Sequence, residues 1–140
     1  MQKLWFATRK RAWLSLAVVP ATPGFSAAPL AQALAQAGES HVERVHLLDA
    51  EGADMCAASR MVEEMRSQVG HGHCVIVAVD SLLQNAAGIP LLLAADACLL
   101  GVQLGQSRFS HVERTLERVD ASRFVGVVTF PLPGKASDPL

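Results

Sequence analysis

Five short, almost uninterrupted apolar runs alternate along this chain with longer stretches in which apolar and polar residues are mixed. Continuous Val, Ile and Leu runs are typical of strands buried on both faces of a parallel sheet. Their alternation with helical stretches predicts an α/β fold: a single-domain, mostly parallel sheet of about five strands with helices on both faces, in a Rossmann-like three-layer arrangement. The predicted strands lie near 13–19, 44–48, 73–79, 97–104 and 125–130.

Helical periodicity fills the intervals between these runs. A first helix is predicted over 27–37, and the second has an apolar stripe with spacings of 3, 4, 3 and 4. Asp54 can cap the start of that second helix, and Gly70 can end it. The stripe consists of Met55, Ala58, Val62, Met65 and Val69. A later helix has the stripe Phe109, Val112, Leu116 and Val119, with Ser107 as a candidate cap. We expect both stripes to belong to the core.

A glycine turn, Thr22-Pro23-Gly24, follows the first strand, and Ser26 stands just before the first helix. A phosphate-binding loop at such a place has the pattern G-x-x-x-x-G-K-[ST], in which the lysine reaches the outer phosphates and the hydroxyl binds Mg²⁺. Here the only lysines are Lys3, Lys10 and Lys135, and the second glycine of the pattern is missing. The residue types therefore argue against ordinary P-loop catalysis.

Carboxylates follow two later strands: Asp49 and Glu51 come after the second strand, and Asp80 comes after the third. Ligands of open α/β sheets bind at the carboxyl ends of the strands, so we expect these three side chains to converge there. Without a lysine they would repel a triphosphate unless Mg²⁺ intervened. We prefer the interpretation that these acids are retained as part of the fold and have no catalytic role. We predict no cofactor and no metal.

These ordered motifs give the chain, over about 13–130, a resemblance to the cytoplasmic tyrosine autokinases of bacterial exopolysaccharide export and to their MinD/ParA-like P-loop relatives. The later segments that carry it are 95–108, 112–117 and 124–128. The resemblance implies a P-loop NTPase-like fold with a vestigial nucleotide site. In that site Asp49 and Glu51 match the paired acids, Asp80 matches the Walker B aspartate, and the remains of the phosphate loop are Thr22, Gly24 and Ser26. The implied partner is a membrane-embedded chain-length regulator of polysaccharide export, or a second copy of the chain.

Two departures from that family limit the function. The chain contains no tyrosine, so it cannot have the family's autophosphorylated tyrosine-rich tail, and the asparagine expected after the last strand is absent. The first hypothesis is therefore a catalytically inactive interaction or regulatory module. The alternative is an atypical nucleotide-binding ATPase in which Arg9, Arg11 or a residue of a partner replaces the missing lysine.

Length and charge complete the prediction. We expect one domain over 13–130, preceded by a basic and aromatic arm over 1–12 and followed by a loose tail over 131–140. The net charge of −1 gives no reason to expect nucleic-acid binding. The arm is a solvated start or a contact for an acidic partner or an anionic membrane. His71-Gly72-His73-Cys74 has too few ligands for a structural zinc site.

Localisation depends on how the first 28 residues are interpreted. A basic stretch, an apolar run and then the small residues 26–28 follow one another there, which also fits an export signal. Cleavage after those small residues would remove the first strand. We therefore expect a cytoplasmic protein without a transmembrane segment, associated with the inner membrane through a partner. The three cysteines, Cys56, Cys74 and Cys98, are expected to be buried thiols of a reducing compartment.

Overall fold

A computed structural model describes residues 2–9, 12–41, 44–103 and 109–130. Its elements are, in chain order, α1 (Gln2–Thr8), β1 (Ser15–Pro20), α2 (Ala28–Gly38), β2 (Val45–Asp49), α3 (Met55–Gly70), β3 (Cys74–Ala78), a 3₁₀ turn (Ala86–Gly88), α4 (Ile89–Ala94), β4 (Ala97–Gln103), α5 (Phe109–Arg118), a second 3₁₀ turn (Ala121–Arg123) and β5 (Phe124–Phe130). The strands form one sheet in the order β2-β3-β1-β4-β5, and each pairing within it is parallel. The predicted fold class is confirmed.

The apolar runs of the inner strands are explained by burial on both faces of this sheet, whereas the edge strands β2 and β5 are partly exposed. Every residue of β1 and of β3 is buried, so neither strand has a polar face. One apolar cluster joins the sheet to α1 and α2 through side chains such as Trp5 and Leu34. The other joins the opposite face to α3, α4 and α5 through side chains such as Met65, Leu91 and Leu116. These two clusters make the predicted three layers.

Helix α3 begins where its cap predicts, because the Asp54 carboxylate accepts a 2.8 Å hydrogen bond from the Ala57 N–H. Its stripe is buried at Ala58 and Met65, but Met55 is 58% exposed, so its expected place in the core is wrong. Met55 is the first residue of α3, and Asp54 and Cys56 on either side of it are also exposed.

The end of α3 agrees with the prediction, and its C-terminal turn contains a second glycine. Gly70 is the last helical residue, and the left-handed glycine of the turn is Gly72, with φ of 83°. In α5, Val112 and Leu116 pack against the core while Phe109, at the first position, is 76% exposed and not the core residue that the stripe predicted. The candidate cap Ser107 lies outside the described residues.

The N-terminal segment packs against the domain. Trp5 is 1% exposed and lies against Gly38, the last residue of α2. Its ring meets the ring of Trp13 edge-on at 5.5 Å, and the Arg9 guanidinium lies over both rings, 5.3 and 4.6 Å from their centroids. Residues 2–9 therefore pack against the domain through Trp5 and Arg9, while Lys3 and Phe6 on the same helix remain exposed. The predicted tail over 131–140 lies outside the described residues.

Two further expectations concern helices and cysteines. Among the helices that the structure describes, none has both the length and the apolar content needed to span a bilayer. Cys74 and Cys98 are buried free thiols, as expected, whereas Cys56 is an exposed free thiol on α3. Cys56 follows Met55 on the exposed first turn of that helix.

Candidate functional site

The six predicted site residues all lie around the carboxyl ends of β1, β2 and β3, a region called here the carboxyl edge. Thr22, Gly24 and Ser26 belong to the loop between β1 and α2. Asp49 ends β2 and is paired with Ala78 at the end of β3, so the loops that carry Glu51 and Asp80 start side by side. Asp80 is about thirty residues further along the chain than Asp49 and Glu51, and the parallel register of β2 and β3 brings the three acids to one edge.

The start of α2 is capped by the chain's own Glu51. One carboxylate oxygen of Glu51 accepts a 3.0 Å hydrogen bond from the Ser26 hydroxyl, and the other accepts a 3.1 Å bond from the Ala27 N–H. The Ser26 Oγ in turn accepts from the Ala28 N–H at 3.1 Å. A helix N-terminus favours negative charge and is where P-loop folds bind phosphate. Here the Glu51 carboxylate lies just before α2, on the N–H of the residue that precedes the helix.

The backbone N–H of Gly24 in the glycine turn also has a hydrogen-bond partner within the chain. Gly24 has φ of 89°, a left-handed conformation that glycine adopts without strain. Its N–H donates a 2.7 Å hydrogen bond to the side-chain carbonyl of Gln84, which comes from the loop after β3. A backbone amide of the kind that cradles phosphates in a P-loop is thus satisfied from within the chain.

Asp80 and Asp49 hold loops together. One oxygen of the Asp80 carboxylate accepts from the Gly52 N–H at 2.7 Å and from the Asn85 side-chain amide at 3.1 Å. The Asn85 amide also donates to the Ala53 carbonyl at 3.0 Å. The Asp49 carboxylate accepts from the Glu51 N–H at 3.0 Å. Both aspartates therefore stabilise the loop after β2, which presents Glu51.

Thr22 is nearly buried, and its hydroxyl lies 3.3 Å from Nδ1 of His111 in the first turn of α5. Sequence reasoning missed His111, Gln84 and Asn85 as members of this edge. Uncharged amides in a loop carry no motif, so Gln84 and Asn85 gave no signal. His111 lies in a Ser-His-Val-Glu-Arg segment that occurs twice in the chain, at 40–44 and 110–114, and the repeat does not reveal this contact.

The Glu51 carboxylate would meet an anion that approached the start of α2. A phosphate at the start of α2 would meet the Glu51 carboxylate, and two unit charges 4 Å apart repel by about 1 kcal/mol in water and about 4 kcal/mol at an effective dielectric constant of 20. Across the described part of the chain, no three His, Cys, Asp or Glu side chains form a group that could hold a metal ion.

The proposed substitute for the lysine is also misplaced. Arg9 lies at the opposite edge of the sheet, where its guanidinium donates to the Trp13 carbonyl at 2.9 Å. Trp13 precedes β1, whereas the phosphate loop follows it. Arg9 therefore cannot replace the missing lysine without leaving its tryptophan contacts, and Arg11 lies outside the described residues.

The fold is a three-layer α/β domain built on a parallel five-stranded sheet. No protein-family model matches the chain, and a search of curated proteins found no match. Among solved structures, four chains match. One of them, the "BceF Tyrosine Kinase Domain", superposes with a TM-score of 0.65 at 15% sequence identity, over 93% of this chain and 74% of that one. At this identity the comparison establishes a shared fold.

Proposed function

We propose that this chain is a catalytically inactive, P-loop-like interaction or regulatory module that works beside an exopolysaccharide polymerisation and export complex. The observation that carries the proposal is the Glu51 carboxylate at the start of α2, hydrogen-bonded to Ser26 and Ala27. When a domain's own carboxylate occupies the place where a phosphate would bind, the domain retains its fold but does not bind or hydrolyse a nucleotide.

Three further observations support the absence of nucleotide chemistry. The Gly24 N–H is bonded to Gln84, and Asp80 is bonded to Gly52 and Asn85. No lysine occurs between Lys10 and Lys135. Each of these features removes a different part of phosphate recognition: the backbone cradle, the metal-binding carboxylate and the cation.

The setting is proposed from the sequence resemblance, and the fold shared with a tyrosine kinase domain agrees with it. In this setting the partner is a membrane-embedded chain-length regulator or a second copy of the chain. Binding to nucleic acid is not part of the proposal, because the net charge is −1.

Thermal melting with and without Mg-ATP tests the proposal. A ligand at a hundred times its Kd stabilises the native state by about 2.7 kcal/mol, so a true nucleotide site would raise the Tm by several degrees at millimolar nucleotide. We expect no rise for ATP or ADP. A rise of several degrees would overturn the proposal in favour of an atypical ATPase.

A variant tests the structural role of the capping carboxylate. Glu51→Ala should lower the Tm, because the Ser26 hydroxyl and the Ala27 N–H lose their acceptor, with a loss of about 1–2 kcal/mol in the free energy of unfolding. Glu63→Ala, at an exposed position of α3, is the matched control and should leave the Tm nearly unchanged. Equal melting of both variants would show that Glu51 caps nothing in solution.

The interaction role needs its own measurement. The tagged chain, purified from its native host, should recover a membrane protein of polysaccharide export, and that protein should recover the chain in the reciprocal purification. Recovery should not change with Mg-ATP. A partner that is retained only with nucleotide would contradict a module without nucleotide chemistry.

A further inference from the structure

The edge of the sheet opposite the carboxyl edge gathers basic side chains from three parts of the chain. Arg9 reaches within 3.9 Å of the Cys74 sulfur, and the Cys74 N–H donates to the Arg44 carbonyl. Beside them, a cavity of about 350 Å³ is lined by Arg44, His71, Gly72 and His73. We call this surface, together with Lys3 of α1, the basic edge: Lys3, Arg9, Arg44, His71 and His73.

An exposed aromatic ring adjoins the basic edge. Phe6 is 56% exposed, whereas its neighbour Trp5 is buried. Lys3 and Phe6 are three residues apart on α1 and so lie on the same side of that helix. The Phe6 ring contacts the ring of His41, which follows α2, at 4.6 Å between centroids. The packing of Trp5 and Arg9 fixes α1, so Lys3 and Phe6 are presented on a helix that is already in place.

The charge of this edge favours an anionic partner. Lys3, Arg9 and Arg44 are accompanied in sequence by Lys10 and Arg11, and the first acidic residue of the chain is Glu39. Glu39 and Asp96 also lie at this edge, but the Asp96 carboxylate already accepts hydrogen bonds from the backbone N–H groups of Leu14, at 2.8 Å, and Ser15, at 3.2 Å.

We propose that the basic edge docks this chain directly on an anionic lipid surface. Lys3 and Arg44 would face the headgroups, and the Phe6 ring would enter the layer beneath them, while Arg9 stays in its tryptophan contacts and holds α1 in place. Cations near an exposed aromatic ring are the composition of helices that lie in a membrane interface. Binding to an acidic protein is the other outcome that the experiment below distinguishes. This docking is independent of nucleotide chemistry and of any protein partner.

Co-sedimentation of the whole chain with vesicles tests the proposal. One set of vesicles contains phosphatidylcholine alone, and the other also contains phosphatidylserine. Binding should require phosphatidylserine and should fall at high salt, where surface charges are screened. Each basic residue near such a surface contributes about fivefold to partitioning, so the double variant Lys3→Gln/Arg44→Gln should bind about 30-fold more weakly.

The matched control is Arg60→Gln/Arg114→Gln, which removes two exposed cations from α3 and α5, away from the basic edge. It should bind like the unmodified chain. Phe6→Ser should weaken binding without removing its salt dependence, and all variants should melt at the unmodified temperature.

Three results would overturn the proposal. The first is an absence of binding to phosphatidylserine vesicles. The second is equal weakening by the control pair, which would show that net charge alone drives binding. The third is binding to immobilised poly-glutamate but not to vesicles, which would assign the basic edge to an acidic protein.

Discussion

The contact between Gly38 and Trp5 gives the sharpest prediction about stability. A Cβ at Gly38 would lie 2.5 Å from Cζ3, 2.7 Å from Cη2 and 3.0 Å from Cε3 of the Trp5 ring. The ring is buried and wedged against Trp13 and Arg9, so it cannot move without disturbing them. Gly38→Ala therefore forces either strained packing or the release of α1.

The magnitude follows from three effects. Overpacking of a closed core costs about 1–3 kcal/mol. Release of the ring sets an upper bound near the cost of truncating a buried tryptophan, about 3–5 kcal/mol. Replacing a helical glycine by alanine returns at most about 1 kcal/mol, and less at the last residue of a helix. We expect the free energy of unfolding to fall by about 2 kcal/mol.

Urea unfolding followed by far-ultraviolet circular dichroism measures this change. Gly70→Ala is the matched control, because Gly70 also ends a helix and a Cβ there would meet nothing within 4 Å. It should leave stability unchanged or slightly higher. In a Trp5→Ala background, Gly38→Ala should no longer destabilise. The same loss in both backgrounds would refute the steric argument.

Two further predictions concern carboxylates. Asp54→Ala should lower the free energy of unfolding by about 1 kcal/mol, because the Ala57 N–H loses its cap, while Asp54→Asn should stay near the unmodified value in the same urea experiment. The pKa of Asp120 lies below its ordinary 3.8, chiefly because the Ser122 N–H donates to its carboxylate. This carboxylate therefore stabilises the fold above pH 3.8, and the stabilisation is lost as the pH falls through its lower folded pKa. An NMR titration of Asp120 with a midpoint above 3.8 would contradict this assignment.

The sheet could be predicted from the sequence because its inner strands are buried on both faces, so that nearly every residue of those strands is apolar. The start of α3 was equally predictable, because the Asp54 cap bonds to a backbone N–H only three residues away, within the same local sequence. Met55 and Phe109 were misassigned because periodicity alone does not show which turns of a helix are covered, and each of them is the exposed first residue of its helix. Helix α4 carries the proline Pro90 and spans only six residues, too few to establish a period.

The contacts that decide the site were beyond sequence reasoning because they join distant residues. Nothing near Glu51 in sequence indicates that its carboxylate reaches Ser26 and Ala27, although the parallel register places their loops side by side. The packing of α1 likewise depends on a glycine more than thirty residues away from Trp5. The acids could be placed at the correct edge, but the partners of each acid required the fold.

The paired indoles have a spectroscopic consequence. Trp5 and Trp13 are the only tryptophans of the chain, both are buried, and they touch each other and Arg9 at one end of the molecule. Intrinsic fluorescence therefore reports whether the N-terminal helix is seated, and it is blind to events around Gly24 and Glu51. An emission shift towards the red without loss of ellipticity would mark the departure of that helix from an otherwise intact domain.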